Sequence, residues 1–261
     1  MLYMVSKQNI APQVSIIIPL FNAEKYITQT LKSVFEQTFV SWEIILVDDV
    51  STDDTINIVN QNFNENNMTL VQSSKKLHTA GARNAGIVLA KGKYIAFLDA
   101  DDFWHKDKLK KQITYLESNN EVVLSFTAVK KIDSNGVELG DLNIPKEIDY
   151  VKLLRGNKIC CSSVVLNNEL LGKFKFNEEI KIVEDYALWL KILRENGSCA
   201  YGINEPLTYY RIHNDAKTKN KLVSALDTWK VLRVSEKLSI IKSIKPFFFY
   251  AKDGLRKLLV R

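Results

Sequence analysis

The sequence predicts an α/β domain built on a mostly parallel, Rossmann-like central sheet flanked by helices, and three observations carry that prediction. First, Val14–Leu20 (VSIIIPL), Trp42–Val47 (WEIILV) and Tyr94–Leu98 (YIAFL) are short, almost wholly apolar runs. Strands covered on both faces read this way, because neither side can be polar. Second, segments with helical spacing separate these runs over the first hundred residues, which is the pattern of βαβ units. Third, two runs end abruptly in carboxylates, Asp48-Asp49 and Asp99, Asp101 and Asp102. In open α/β sheets ligands bind just beyond the carboxyl ends of the strands. Carboxylates crowded together repel one another unless a cation sits among them. One of the three is expected to cap a helix and the others to face a ligand.

The elements follow in order. Val14–Leu20 is the first strand, and Pro19, lacking a donor N–H, marks where ladder pairing ends. Ile27, Leu31, Val34 and Phe35 fall at helical spacing, so a helix is expected from Asn22 or Ala23 to about Thr38. After the second strand, Ser51-Thr52-Asp53-Asp54 offers N-caps for a helix over Thr55–Phe63, and Thr69–Gln72 is a short third strand. The next helix, from about Thr79, carries Ala80, Gly81, Ala82, Ala85 and Gly86, small enough for close backbone approach. Beyond the acidic strand a helix runs from Asp107 to about Ser118, and Val122–Lys131 is a strand. Asp133–Gly140 is a hairpin on Asn135-Gly136. Residues 141–158 read as loop and short helix, Ile159–Leu166 as a strand, and Asn177–Ile182 as a loop. Glu184–Glu195 is a helix, Tyr201–Gly202 and Leu207–Arg211 rejoin the sheet, and the tail from Leu222 is helical with a break at Pro246.

Composition bounds the class. The chain has 261 residues, 46% hydrophobic and 25% charged, enough for one large domain with a real core. It has no apolar run long enough to span a bilayer and no signal-peptide pattern at its start. Cys160, Cys161 and Cys199 have neither disulfide-framework nor zinc-site spacing, so a cytoplasmic protein with reduced thiols is expected. Residues 217–261 hold 12 Lys+Arg against 3 Asp+Glu, or +9, while the chain totals +6, so residues 1–216 sum to −3. The basic balance belongs to the tail. Lys237–Arg261 mixes Ile, Phe and Leu with basic residues, a pattern suited to an anionic membrane surface or to a lid packed on the domain. No nucleic-acid motif accompanies the charge.

Five segments, in order, carry a resemblance: VSIIIPLFNAEKYI (Val14–Ile27), EIILVDDVSTDDT (Glu43–Thr55), GARNAGIVLAKGKYIAFLDADD (Gly81–Asp102), VEDYALWLKI (Val183–Ile192) and YYRIH (Tyr209–His213). Together they resemble the family-2 glycosyltransferases of the GT-A fold, specifically the small bacterial enzymes of surface-polysaccharide assembly (O-antigen, capsule or teichuronic-type). The resemblance implies a GT-A domain over residues 1–216, with a nucleotide-binding half at about 12–105 and an acceptor-binding half at about 106–216. A basic helical extension over 217–261 would follow. It implies that Pro19, Phe21, Asn22 and Glu24 line the base and ribose pocket, with Phe21 stacked on uracil. Asp49 would accept from the uracil N–H, which cytosine lacks, and Arg83 would contact the nucleotide. Asp99-Ala100-Asp101 matches the DXD motif: Asp101 would bind Mn²⁺ or Mg²⁺, Asp99 would sit nearer the ribose, and Asp102 would stand behind them or cap a helix. Asp185 matches the catalytic base of an inverting transfer, with Glu184 orienting the acceptor. Read alone, that pair is a helix N-terminus. Trp189 would stack on an acceptor sugar or serve as core. Arg211 would pair with phosphate oxygens, and His213 would join the metal or a phosphate. Where the family has a serine in the closing loop this chain has AKTKN (Ala216–Asn220). The QxxRW signature of processive synthases is missing, so addition of one sugar is expected.

The implied partners are a UDP-sugar donor, a glycan acceptor on a lipid diphosphate, and, through the tail, the inner face of the cytoplasmic membrane. Two other classes also place acids at strand ends. A phospho-accepting receiver or a nucleotide-binding module without catalysis would leave residues 103–216 without a purpose. A nucleotidyltransferase would want a Gly- and Arg-rich loop after the first strand, where LFNAEKY has neither.

Overall fold

The computed structural model describes residues 11–63, 65–171, 173–213 and 221–259. In chain order the elements are β1 (Val14–Leu20), α1 (Ile27–Phe35), β2 (Trp42–Asp48), α2 (Thr55–Asn62), β3 (Met68–Gln72), α3 (His78–Leu89) and β4 (Tyr94–Phe97). There follow β5 (Phe103–Trp104), α4 (Lys108–Ser118), β6 (Leu124–Ile132), β7 (Glu138–Leu142), β8 (Glu147–Ile148), α5 (Tyr150–Leu153), β9 (Val165–Asn167) and α6 (Asn168–Leu171). The last are α7 (Glu184–Asn196), β10 (Ala200–Arg211), α8 (Lys221–Lys230) and α9 (Ile240–Leu259). The strands form one sheet in the order β3-β2-β1-β4-β9-β6-β10-β5, with β7 on β6 and β8 on β10. The β3-β2-β1-β4 half is wholly parallel, and β6 and β10 are also parallel. The short β9 is antiparallel to both β4 and β6 and joins the two halves.

Strand periodicity sorts the core into two layers. Ile16, Ile18 and Leu20 of β1 face α1 and α4, meeting Ile27, Leu31, Leu109 and Ile113. Ile17 points to the other face, with Phe97 of β4 and Leu188 and Trp189 of α7. The small residues of α3 let it approach the sheet as expected. A Cβ at Gly86 would lie 2.5 Å from Cγ2 of Ile17, inside any allowed contact.

Local signals misplace three elements. The first helix begins at Ile27 and not at Asn22 or Ala23, because residues 22–24 bond sideways to the loop after β2. Asn22 sits at φ 50°, a left-handed conformation that Asn tolerates. Its Oδ1 accepts from the Thr52 N–H, Thr55 Oγ1 accepts from the Ala23 N–H, and Glu24 Oε2 accepts from the Asp54 N–H. The strand expected over Ile159–Leu166 is instead a single 3₁₀ turn, Cys161–Ser163, followed by β9. The break expected at Pro246 does not occur, since α9 runs from Ile240 to Leu259 with Pro246 inside it; Phe103–Trp104, left unassigned by the sequence, pairs with β10 as β5. The closing-loop residues Ala216–Asn220 lie outside the described residues.

Candidate active site

The site forms where β1, β2 and β4 end together, and several of its side chains are placed by partners far away in sequence. Arg83, on the buried face of α3, is the hub. Its guanidinium bonds Asp99, just past β4, at 2.6 Å and Glu184, at the start of α7, at 2.9 Å. Burial works against its charge, but the Asp99 and Glu184 carboxylates outweigh it and hold the guanidinium well above its ordinary value. Arg83 Nε and Glu184 Oε2 are buried yet have no hydrogen-bond partner among the described residues, a costly state.

Asp185, next to Glu184, is half-buried, and its carboxyl is pushed up to about 7. Burial is the largest cause and the Glu184 charge the next, while Arg83 and the Tyr186 N–H pull the other way. Its Oδ1 accepts from the Tyr186 N–H at 2.6 Å and its Oδ2 from Asn157 Nδ2 at 3.3 Å. A carboxylate that titrates near neutrality at a helix start has the properties of a general base.

The four-residue DADD stretch separates into different jobs. Asp101 is partly exposed and its Oδ2 lies 2.7 Å from Nε2 of His213, whose ring leans on Tyr26. Asp99 faces Arg83. Asp102 is 1% exposed and structural: its Oδ1 accepts the Arg211 N–H and its Oδ2 accepts the Ser162 hydroxyl, whose oxygen accepts the Asp99 N–H. Burial, then the charges of Asp101 and Asp99, raise the Asp102 carboxyl well above the carboxylate range. Asp102 therefore ties β10 and the 3₁₀ turn to the end of β4, and it caps no helix. Among the described residues no three His, Cys, Asp or Glu side chains converge to hold a metal. Asp101 and His213 offer one oxygen and one imidazole nitrogen, donors that suit Mn²⁺ if a ligand's phosphates and water complete the shell.

At the other end of the site Phe21 is 51% exposed, and Lys76 Nζ stands 2.7 Å from its ring centroid. The same ammonium is 3.2 Å from Asp49 Oδ2, while Asp49 Oδ1 accepts the Leu77 N–H. Asp48 instead braces its strand end by accepting the Ser51 N–H. Pro19, paired with Val47, and the Asn22 and Glu24 loop form the adjoining wall.

Three expectations are corrected. Trp189 has no exposed surface; it packs against Phe97 and Phe176, where no sugar reaches. Glu184 is buried on Arg83 and does not face an acceptor. Arg211 is 4% exposed, and its guanidinium donates to the carbonyls of Asp101, Asp133 and Ser134 and to Gln29 Oε1. It shapes the site from behind. Lys76, Ser162 and Asn157 were not singled out by sequence reasoning, because an isolated Lys, Ser or Asn in a loop carries no local signal.

Comparison with known proteins gives a consistent set of likenesses. The model of the family described as glycosyl transferase family 2 matches residues 15–169. The putative teichuronic acid biosynthesis glycosyltransferase TuaG of Bacillus subtilis is 36% identical over 253 residues, covering 96% of this chain and 99% of that protein. WfaP of Escherichia coli, named as a UDP-Glc:alpha-D-GlcNAc-diphosphoundecaprenol beta-1,3-glucosyltransferase, is 37% identical over 244 residues, 94% of each chain. Among solved structures, S. aureus TarS 1-349 in complex with UDP-GlcNAc superposes with a TM-score of 0.70 at 24% identity, covering 85% of this chain. The present chain spans 65% of the TarS chain. The mannosyltransferase PcManGT from Pyrobaculum calidifontis, in complex with GDP-Man and Mn2+, superposes with a TM-score of 0.69 at 19% identity, covering 94% of this chain and 70% of that one. These structural likenesses establish the GT-A fold.

Proposed function

Since the chain belongs to glycosyltransferase family 2, we propose that it transfers one sugar from a UDP-sugar, with inversion and with a divalent cation, to a hydroxyl of a lipid-diphosphate-linked glycan. The observation that carries this reading is the Arg83 bridge. It clamps Asp99 at the end of β4 to Glu184 at the start of α7, and so seats Asp185, with its carboxyl near 7, beside the DXD strand end. The substrate classes are supported by the name of WfaP, whose donor is UDP-Glc and whose acceptor is a diphosphoundecaprenol glycan. The half up to about residue 105 holds the nucleotide in this reading and residues 106–216 the acceptor.

Ionised Asp185 takes the proton of the acceptor hydroxyl as that oxygen bonds to the anomeric carbon. The attack comes from the face opposite the diphosphate, the bond from C1 to the diphosphate oxygen breaks, and its electron pair leaves with UDP. An α-linked donor thus gives a β product. Asp101 and His213 are the residues suited to hold Mn²⁺ or Mg²⁺, which when bound neutralises charge on the leaving diphosphate. Asp99, held by Arg83, faces the ribose in this reading, and Arg83, whose Nε is buried, acts on the donor through Asp99. Phe21 stacks beneath the base once Lys76 moves off its ring. Asp49 keeps lone pairs for the imide N–H even while bonded to Leu77. A lipid-borne acceptor places the enzyme on the cytoplasmic face of a membrane.

Calorimetric titration of UDP, GDP and CDP, with Mn²⁺ and with chelator, tests the site. UDP alone should bind, dependent on Mn²⁺ and lost in Asp101→Ala. Asp185→Asn should keep UDP binding and lose transfer. Binding of no nucleotide would overturn the reading, and binding of GDP would overturn the role of Asp49.

A further inference from the structure

We propose that α8 and α9 form a docking face for an anionic lipid surface, on which the enzyme sits while its acceptor stays in the bilayer. The proposal extends the lipid-linked acceptor above, but its evidence is the helix pair itself. The inner face of α9 is packed: Ser243 is fully buried, Phe247 meets Trp229 of α8 edge-on at 5.2 Å, and Phe249 faces the Arg155 guanidinium at 5.6 Å. The two possibilities left by the sequence, a lid on the domain or a surface-binding helix, are therefore not exclusive. One face of α9 serves each.

The outer face is apolar. Ile241, Ile244 and Phe248 recur at i, i+3 and i+7 and are all exposed, Ile241 by 82% and Phe248 by 62%. Ile240 borders the same stripe, and Leu222 and Leu226 of α8 are exposed one turn apart. Lys245 and Lys252 lie along one edge of the stripe on the helical wheel, with Lys242 beyond them, and all three are exposed. No helix among the described residues is long and apolar enough to cross a membrane, so α9 suits a position in the plane of the interface.

Charge decides the occupant. A protein-binding patch needs no concentration of one sign, whereas residues 217–261 carry +9 and the remainder of the chain −3. That polarity orients the molecule on an anionic headgroup layer with the tail toward the lipid. Apolar side chains then enter the acyl boundary while the lysines stay among the headgroups.

The test is flotation of the full chain with phosphatidylcholine vesicles, with and without phosphatidylglycerol, at low and high salt. The wild type should float with the anionic vesicles at low salt and remain below with phosphatidylcholine alone. Ile241→Ser with Phe248→Ser should cut the bound fraction on the order of tenfold or more. Lys245→Gln and Lys252→Gln should each weaken anionic binding by about fivefold. UDP affinity, measured in parallel, should be unchanged in every variant and shows that each is folded. A wild type that never floats overturns the proposal, and so does flotation undiminished in the Ile241/Phe248 variant. A dimer that this variant converts to monomer, without lipid binding, would assign the face to a second copy of the chain. Lipid binding without any UDP binding would leave the docking face standing and remove the donor reading.

Discussion

Asp185 should impose its own titration on the reaction. With a carboxyl near 7, roughly a tenth of the enzyme carries the base ionised at pH 6 and about nine tenths at pH 8, so kcat/KM should rise about tenfold between them. The limb should have unit slope below pH 6 and flatten above pH 8. Glu184→Gln removes the second-largest cause of the elevation while keeping a hydrogen-bonding group for Arg83. It should therefore move the limb to lower pH and leave UDP affinity intact. Asp185→Asn should remove the limb along with activity, by about 10²- to 10⁴-fold in kcat. The same elevation has a stability consequence of definite sign. The folded-state value exceeds the unfolded one, so the folded state binds the extra proton and stability falls as pH rises from about 4 to about 7. Asp185→Asn, which cannot ionise, should therefore be more stable than wild type at pH 8, on the order of 1–2 kcal/mol after allowing for partial exposure. The gain should vanish near pH 4. The assays are UDP release over pH 5–9 and thermal unfolding at pH 4 and 8. A pH-independent kcat/KM from pH 5.5 to 8, or an active Asp185→Asn, would refute the assignment.

Within the DADD stretch, Asp102→Ala should destabilise the fold by about 2–3 kcal/mol by orphaning the Arg211 N–H and the Ser162 hydroxyl. Asp102→Asn, whose Oδ1 still accepts the Arg211 N–H but whose Nδ2 can only donate toward the Ser162 hydroxyl, should cost less, about 1–2 kcal/mol. Asp101→Ala should leave the urea midpoint unchanged while abolishing transfer. Lys108 is fully buried, with Nζ over the Trp104 ring and no hydrogen-bond partner among the described residues; burial depresses its ammonium well below the ordinary range. Lys108→Met should therefore stabilise the fold by about 1–2 kcal/mol, read as a higher urea midpoint, and more at acidic than at alkaline pH. Phe21→Ala should lose about 1–3 kcal/mol of UDP affinity in calorimetry, with no loss of stability, because its ring is exposed.

Elements whose cause is local were legible in the sequence. VSIIIPL, WEIILV and YIAF are strands whose alternate residues meet apolar layers on the two faces of the sheet, and the Ala80–Gly86 stretch is a helix brought close to the sheet by its small residues. The helix starting at Glu184 and the acidic strand ends were equally plain. What failed were positions governed by a distant partner. Asn22–Glu24 read as a helix start until the Thr52–Thr55 loop claimed their polar groups. Trp189 and Arg211 belong to residue types that often line sugar and phosphate sites, but solvent exposure is a property of the assembled molecule.

The order of apolar runs and the placing of acids at their ends were written in the chain, since strand burial and helical spacing act over a few residues. Whether a given carboxylate is a base, a metal ligand or a brace was not, because that depends on a local dielectric and on partners brought from up to 112 residues away, as for Asp101 and His213. Asp101 and Asp102 are adjacent, yet their side chains leave the turn closed by the Asp102 N–H and the Asp99 carbonyl in different directions. One meets His213 at the site and the other is enclosed by Ser162 and the backbone of β10. Folding around them, and no feature of the two aspartates themselves, makes them different.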